Sequence, residues 1–222
     1  MEKIRIIELP VDVNMPMLMK KMKLTCDSPV YDEYQNAVEL LRNQIKPMAI
    51  IKACPVETFS KHLVVMDGIK YKSKTLHYLL KDHEQVFLYL LTIGEMPTKL
   101  HQIEHYFLQS LKLPIMYGAM KHLKAAVRED NHLKQVGIAN PGLIQDWAIQ
   151  DSKAIFDSFG SASLQIGLKM GKGYIMRPVY SSSGILFDDF QNYCDCAACS
   201  IDGCIAREEK MTDDEKKMAS VG

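Results

Sequence analysis

The chain has 222 residues, 47% of them hydrophobic and 24% charged, with 27 Lys plus Arg against 27 Asp plus Glu. That length encloses a full core, and that composition excludes a mini-protein, a disordered chain and a fibre. Zero formal charge, with no basic run interleaved with aromatics, argues against a nucleic-acid surface.

In chain order, residues 3–9 (KIRIIEL) read as a short strand closed by Pro10. Ser28-Pro29 offers a helix cap with proline at the first helical position, and Tyr34, Ala37, Val38, Leu41 and Ile45 follow at helical spacing. Pro47 ends that helix, and Met48 to Cys54 predicts a strand stopped by Pro55. In His62 to Tyr71, Asp67-Gly68 separates two apolar runs, the pair that suits a type I′ hairpin turn. Ser73 to Leu80 predicts a short helix. Val86 to Ile93 (VFLYLLTI) shows no alternation and predicts a strand buried on both faces. It is also the longest apolar run, and eight residues fall far short of the roughly 20 that a membrane helix needs.

Prolines at 97 and 114 predict two helices, Pro97 to Leu111 with Leu100, Ile103, Phe107 and Leu111 inward, then Pro114 to Val127. After the Asn140-Pro141-Gly142 turn, Ile149 to Leu164 shows helical spacing through Ile155, Phe156 and Phe159. Tyr174 to Leu186 predicts an extended segment that Pro178 confines to an edge or a bulge. From Asp188 the composition shifts to cysteines and then to charge, with Thr212 and Glu215 spaced like a capping box. The expected architecture is α+β, a mixed and mainly antiparallel sheet with flanking helices, over residues 1–190, followed by a cysteine-rich and charged tail over 191–222.

Few residues carry chemistry by spacing. Cys194, Cys196, Cys199 and Cys204 place four thiols within eleven residues, a set for an iron–sulfur cluster or for zinc, while the bland alternative is a reduced, metal-free tail or one adventitious disulfide. Cysteines clustered in this way suit a reducing compartment, and the N-terminal residues carry no continuous apolar leader, so the expected location is cytoplasmic. His101 and His105 stand at i and i+4 but lack the glutamate of a zincin, which favours a solvated helix face. Gly171-Lys172-Gly173 is too short for a nucleotide loop, and Ser181 to Gly184 reads as a turn or a ligand-facing hydroxyl cluster. Met15, Met17, Met19 and Met22 suit adaptable packing or a mobile contact surface.

Five segments, taken together and in order, resemble the activation, or reactivation, domain of vitamin B12-dependent methionine synthase in free-standing form. They are Leu90 to Glu95 (LLTIGE), Tyr117-Gly118-Ala119, Asn140-Pro141-Gly142 with Asp146-Trp147, Met176 to Leu186 (MRPVYSSSGIL), and the terminal C-x2-C-x4-C with Arg207. The resemblance spans roughly residues 30 to 207. It implies a domain that binds S-adenosylmethionine in a shallow groove and acts on cobalamin held by a corrinoid-binding protein or methyltransferase, with an electron donor protein. By motif, Asn140, Pro141 and Gly142 would form the turn against the ligand, Glu95 would face the sulfonium or amino group, and Ser183 and Gly184 would line the opposite side. The cysteine tail would pass electrons to cobalt. Ile138 and Leu143 stand where the fused enzymes carry an arginine and a tyrosine, which removes one charge-assisted bond to the ligand carboxylate. The other function class left open is a non-catalytic scaffold of the same fold with a structural zinc in the tail.

Overall fold

A computed structural model describes residues 4–13, 15–97, 102–189 and Tyr193. Leu100, His101, the side chains of Ile103 and Met17, and the four clustered cysteines with the charged stretch after them lie outside the described residues. The elements in chain order are β1 (Arg5–Glu8), α1 (Met15–Met22), α2 (Tyr31–Gln44), β2 (Met48–Ser60), β3 (Leu63–Met66), β4 (Ile69–Lys72), α3 (Lys74–Leu80), β5 (Gln85–Thr92), α4 (Gln102–Asp130), β6 (Val136–Ala139), α5 (Asp151–Ser158), α6 (Ala162–Gln165), β7 (Lys169–Met170), β8 (Met176–Arg177) and β9 (Ser181–Asp188).

Seven strands form one antiparallel sheet in the order β4-β3-β2-β5-β9-β6, with β1 also pairing β2, and β7-β8 is a separate ribbon. The fold is therefore α+β, as the order of elements predicts. Alternation along β5 divides the molecule into two cores. Tyr89 and Leu91 face α2 and α4 through Tyr34, Leu41, Phe107 and Ile115, while Leu88 and Leu90 face Trp147, Leu76 and Ile155. Each fully buried leucine adds roughly 2 kcal/mol of apolar burial, so the centre of the sheet is its most strongly fixed part. The hairpin turn is as predicted, with Asp67 and Gly68 at φ +53° and +72°. Met15, Met19 and Met22 pack against the first core, which settles those three as packing residues.

Five expectations need correction, each for a local reason. Ser28-Pro29 does not cap α2, which starts at Tyr31 after Val30 with no side-chain cap bond; Ser28 Oγ instead accepts from Thr25 N at 2.9 Å in the preceding turn. Pro55 does not stop the strand, because β2 runs on to Ser60. The Val56 amide donates towards the β5 side, to Glu84 O at 3.0 Å; alternation aims position 55 the other way, between the partners β1 and β3, where no ladder bond is lost. The two helices around Pro114 are one, with Pro114 buried inside α4. The lost backbone bond costs about 3 kcal/mol, and packing through Leu111, Ile115 and Ala119 offsets it. Conversely, the helical run after Ile149 is broken into α5 and α6 at Gly160, whose φ of +53° ends the helix. Finally, β9 is an interior strand between β5 and β6. Pro178 precedes it, on the far side of a cis Arg177–Pro178 bond, and so removes no donor from the ladder.

Candidate functional site

Antiparallel pairing brings three distant segments to one end of the sheet. Thr92 at the end of β5 lies opposite Ser181 at the start of β9, and Ala139 at the end of β6 lies opposite Ile185, so Asn140 and Pro141 continue alongside Gly184 and Ser183. Glu95 is exposed just beyond, after Gly94 at φ +85°. The sites expected at 140–142, 183–184 and 95 thus share one end of the fold.

The chemistry there is a network of neutral groups. Asn140 Nδ2 has three acceptors around its two hydrogens, Ser183 O at 2.9 Å, Ser182 Oγ at 3.0 Å and the Tyr89 hydroxyl. Tyr89 Oη and Ser182 Oγ are 3.0 Å apart. On the other face, Ser181 Oγ donates to Thr92 Oγ1 at 2.9 Å and to Pro178 O at 2.7 Å. Alternation explains the split: Ser182 and Gly184 share the face of Tyr89, whereas Ser181 and Ser183 share the face of Ile185. Ser182, rather than Ser183, is therefore the hydroxyl that meets Asn140.

The bend and the serine strand do face each other, but they touch. A β-carbon on Gly184 would collide with Ala139 O and stand 2.8 Å from Asn140 Nδ2 and 3.1 Å from Tyr89 Cε1. Glycine here admits the amide rather than a ligand. The surface left for a ligand is the outer rim of Glu95, Gly142, Leu143 and the half-exposed Ser181 and Ser182.

Most of the N-P-G-x-x-x-D-W segment serves folding. Gly142 N donates to Trp147 O at 2.8 Å and Leu143 N to Asn140 O at 3.2 Å, closing the loop. Gly142 has φ +83°, and a β-carbon would come within 2.9 Å of Ile149 Cδ1. Trp147 is fully buried, edge-on to Tyr71 at 6.0 Å. Asp146 caps α3 from a distance: Oδ1 accepts from Ser73 Oγ at 2.9 Å and Oδ2 from the amides of Lys74 and Thr75 at 2.6 and 3.2 Å. Burial pushes its carboxyl up, and the donors on Thr75, Ser73 and Lys74 outweigh burial and hold it below the usual value.

Three groups of the site are absent from the sequence reading. Tyr89 lies within an unbroken apolar run, so nothing marks it as polar machinery. Thr92 stands there only inside the Val86 to Ile93 run and the LLTIGE segment. Lys112 on α4 stands with Nζ 4.9 Å from the centre of the Tyr180 ring, and Tyr180 O accepts from Ile93 N at 3.1 Å, which ties that ring to the end of β5. Partial burial lowers the Lys112 ammonium below its ordinary value. A cation near the hydroxyl-bearing end of the sheet can bind and orient a polar ligand. Among the described residues no group of three or more His, Cys, Asp or Glu is placed to hold a metal, and none of the helices is long and apolar enough to cross a membrane.

No protein-family model matches the chain, and no curated protein does. Among solved structures, the chain resembles the "MetH Reactivation Domain bound to AdoHcy" with a TM-score of 0.55 at 12% identity, over 84% of this chain and 78% of that one. At that identity the likeness is one of fold.

Proposed function

We propose that the chain is an accessory protein for the reductive reactivation of a protein-bound corrinoid, using S-adenosylmethionine as methyl donor at the end of the sheet where Asn140 meets Ser182. The observation that carries this is the likeness of fold, over most of both chains, to a domain crystallised with S-adenosylhomocysteine, the demethylated form of that donor. In this reading Glu95 faces the sulfonium or amino group from the rim, and Lys112 takes the carboxylate that an arginine takes in the fused enzymes. Gly142 lets the main chain approach the ligand, while Asn140, Pro141, Ser183 and Gly184 form the floor that holds the rim in place.

The corrinoid is the substrate. One electron from a partner donor protein converts Co(II) to Co(I); Cys194, Cys196, Cys199 and Cys204 would be the ligands of a cluster, whose chemistry when bound would be electron transfer. The Co(I) electron pair then attacks the methyl carbon, the C–S bond breaks, and methyl–Co(III) and S-adenosylhomocysteine result. The chain supplies position, by binding the competent arrangement of the corrinoid protein more tightly than the others. Residues 1–190 form the acting domain in this scheme and 191–222 an appended tail.

Calorimetric titration of the full chain with S-adenosylmethionine tests the ligand. Saturable binding is expected, weakened roughly tenfold by Glu95→Gln; a folded chain that takes up none would remove the ligand from the scheme. One observation favours a second reading: the Nδ2 of the Asn140 amide is engaged by Tyr89, Ser182 and Ser183, as suits a scaffold that keeps the fold and holds zinc in its tail. Zinc retained on purification, with no nucleoside binding, is the result expected of it.

A further inference from the structure

Between Asp157 and Asp188 the sequence carries no Asp or Glu, yet it carries Lys169, Lys172 and Arg177. The fold gathers all three onto one exposed ribbon. In β7 and β8, Lys169 lies opposite Arg177 and Met170 opposite Met176, and Lys172 sits in the 3-10 turn between them. The two methionines turn in towards the second core, so alternation turns Lys169 and Arg177 outward, where both are exposed. Like charges directly opposite each other weaken a strand pair. No ion pair among the described residues relieves Lys169, Lys172 or Arg177.

The turn carries a second cost. Gly173 and Tyr174 have φ of +68° and +63°, free for glycine and an outlier for a bulky aromatic residue. The same segment exposes apolar groups: Tyr174 is 40% exposed, Ile175 51% and Val179 55%. Folding alone favours neither a cation facing a cation, nor a tyrosine in the left-handed region, nor three apolar side chains in water. Features that break local rules without a gain in the folded chain point to a partner.

We propose that the β7–β8 ribbon is a docking surface for the acidic face of a partner protein, with Tyr174, Ile175 and Val179 as its apolar centre and Lys169, Lys172 and Arg177 as its rim. An apolar centre ringed by charge is the layout of a protein interface, whereas a nucleic acid calls for a longer basic track. Val179 leads through Tyr180 to Ser181, the first residue of β9, so a partner seated here lies beside the hydroxyl network. That this partner is the corrinoid carrier rests on the function proposed above; its acidic chemistry rests on the ribbon alone.

The test is stopped-flow association of the full chain with a cobalamin-loaded corrinoid-binding protein at low and high salt, with Lys169→Glu and Tyr174→Gly beside the wild type. Lys169→Glu is expected to slow association roughly tenfold and flatten its salt dependence. Because it faces Arg177 with the opposite charge, it is also expected to raise Tm by about 1–3 °C. Tyr174→Gly is expected to weaken binding about tenfold without lowering Tm. Wild-type binding with both variants indistinguishable from it would overturn the docking surface and leave the proposed function standing. Failure of the wild type to bind would overturn both. A lower Tm in Lys169→Glu would make the cation pair part of the folding machinery and overturn the proposal.

Discussion

Gly184 and Asn140 show how one missing side chain organises the site. The amide of Asn140 can lie against β9 only because residue 184 has no β-carbon, and the same amide then draws Tyr89 and Ser182 into one network. Gly184→Ala forces the amide or the Ala139 carbonyl aside and is expected to cost about 1–3 kcal/mol, read as a lower midpoint of urea unfolding at unchanged slope. A variant as stable as the wild type would show that the approach is loose. The same logic limits Gly142: its positive φ and its contact with Ile149 make a bulky substitution disturb the loop itself, so loss of ligand binding there would not isolate a ligand contact. At this scale the sequence is only partly legible. The N-P-G turn and the serine strand are visible as turn-forming residues, but Tyr89 is hidden in an apolar run, and only strand register reveals that Ser182 rather than Ser183 points at Asn140.

At the scale of elements, α3 depends on a residue far along the chain. Ser73 caps it locally, accepting from Leu76 N at 2.9 Å, and Asp146 adds bonds to Lys74 and Thr75 from the loop after β6. Asp146→Asn is expected to cost about 1 kcal/mol at neutral pH, the scale of a lost helix cap. The sign follows from its carboxyl, which is held below the ordinary value in the folded chain. The stabilisation is present above the unfolded carboxylate value of about 4 and is lost as pH falls through it towards the folded value. The gap between wild type and Asp146→Asn in thermal midpoint should therefore narrow on acidification; a gap constant from neutral to acid pH would contradict the capping role. The helices α2 and α3, the β3–β4 hairpin and β5 are legible because apolar spacing and turn chemistry agree there. Pro55 and Pro178 mislead because the penalty of a proline depends on whether its missing amide had a partner, which only tertiary pairing decides, and Pro114 misleads because the packing that offsets its lost helix bond is itself tertiary. The break at Gly160 goes unread for the opposite reason, since the apolar spacing carries straight through it.

Over the whole molecule, charge balances in number but not in place: the acid-free stretch from Ser158 to Phe187 gathers its three cations on the β7–β8 ribbon. The α+β class is legible from the irregular mix of strands and helices. The strand order is not, because β6 is four residues long and β1 pairs with β2 across two helices and the three segments that connect them. The site exists only through that order, since β5, β6 and β9 must be neighbours for Thr92, Asn140 and Ser182 to share one end. The central claim is that this end of the sheet positions a methyl donor for a docked corrinoid. It is tested most directly by following the paramagnetic resonance of a carrier-bound Co(II) corrinoid, given a one-electron reductant and S-adenosylmethionine, with and without the full chain. The expected result is that the Co(II) signal is lost only when the chain is present, with one methyl–cobalt and one S-adenosylhomocysteine formed per cobalt. Loss of the signal at the same rate without the chain, or no loss in its presence, would contradict the account.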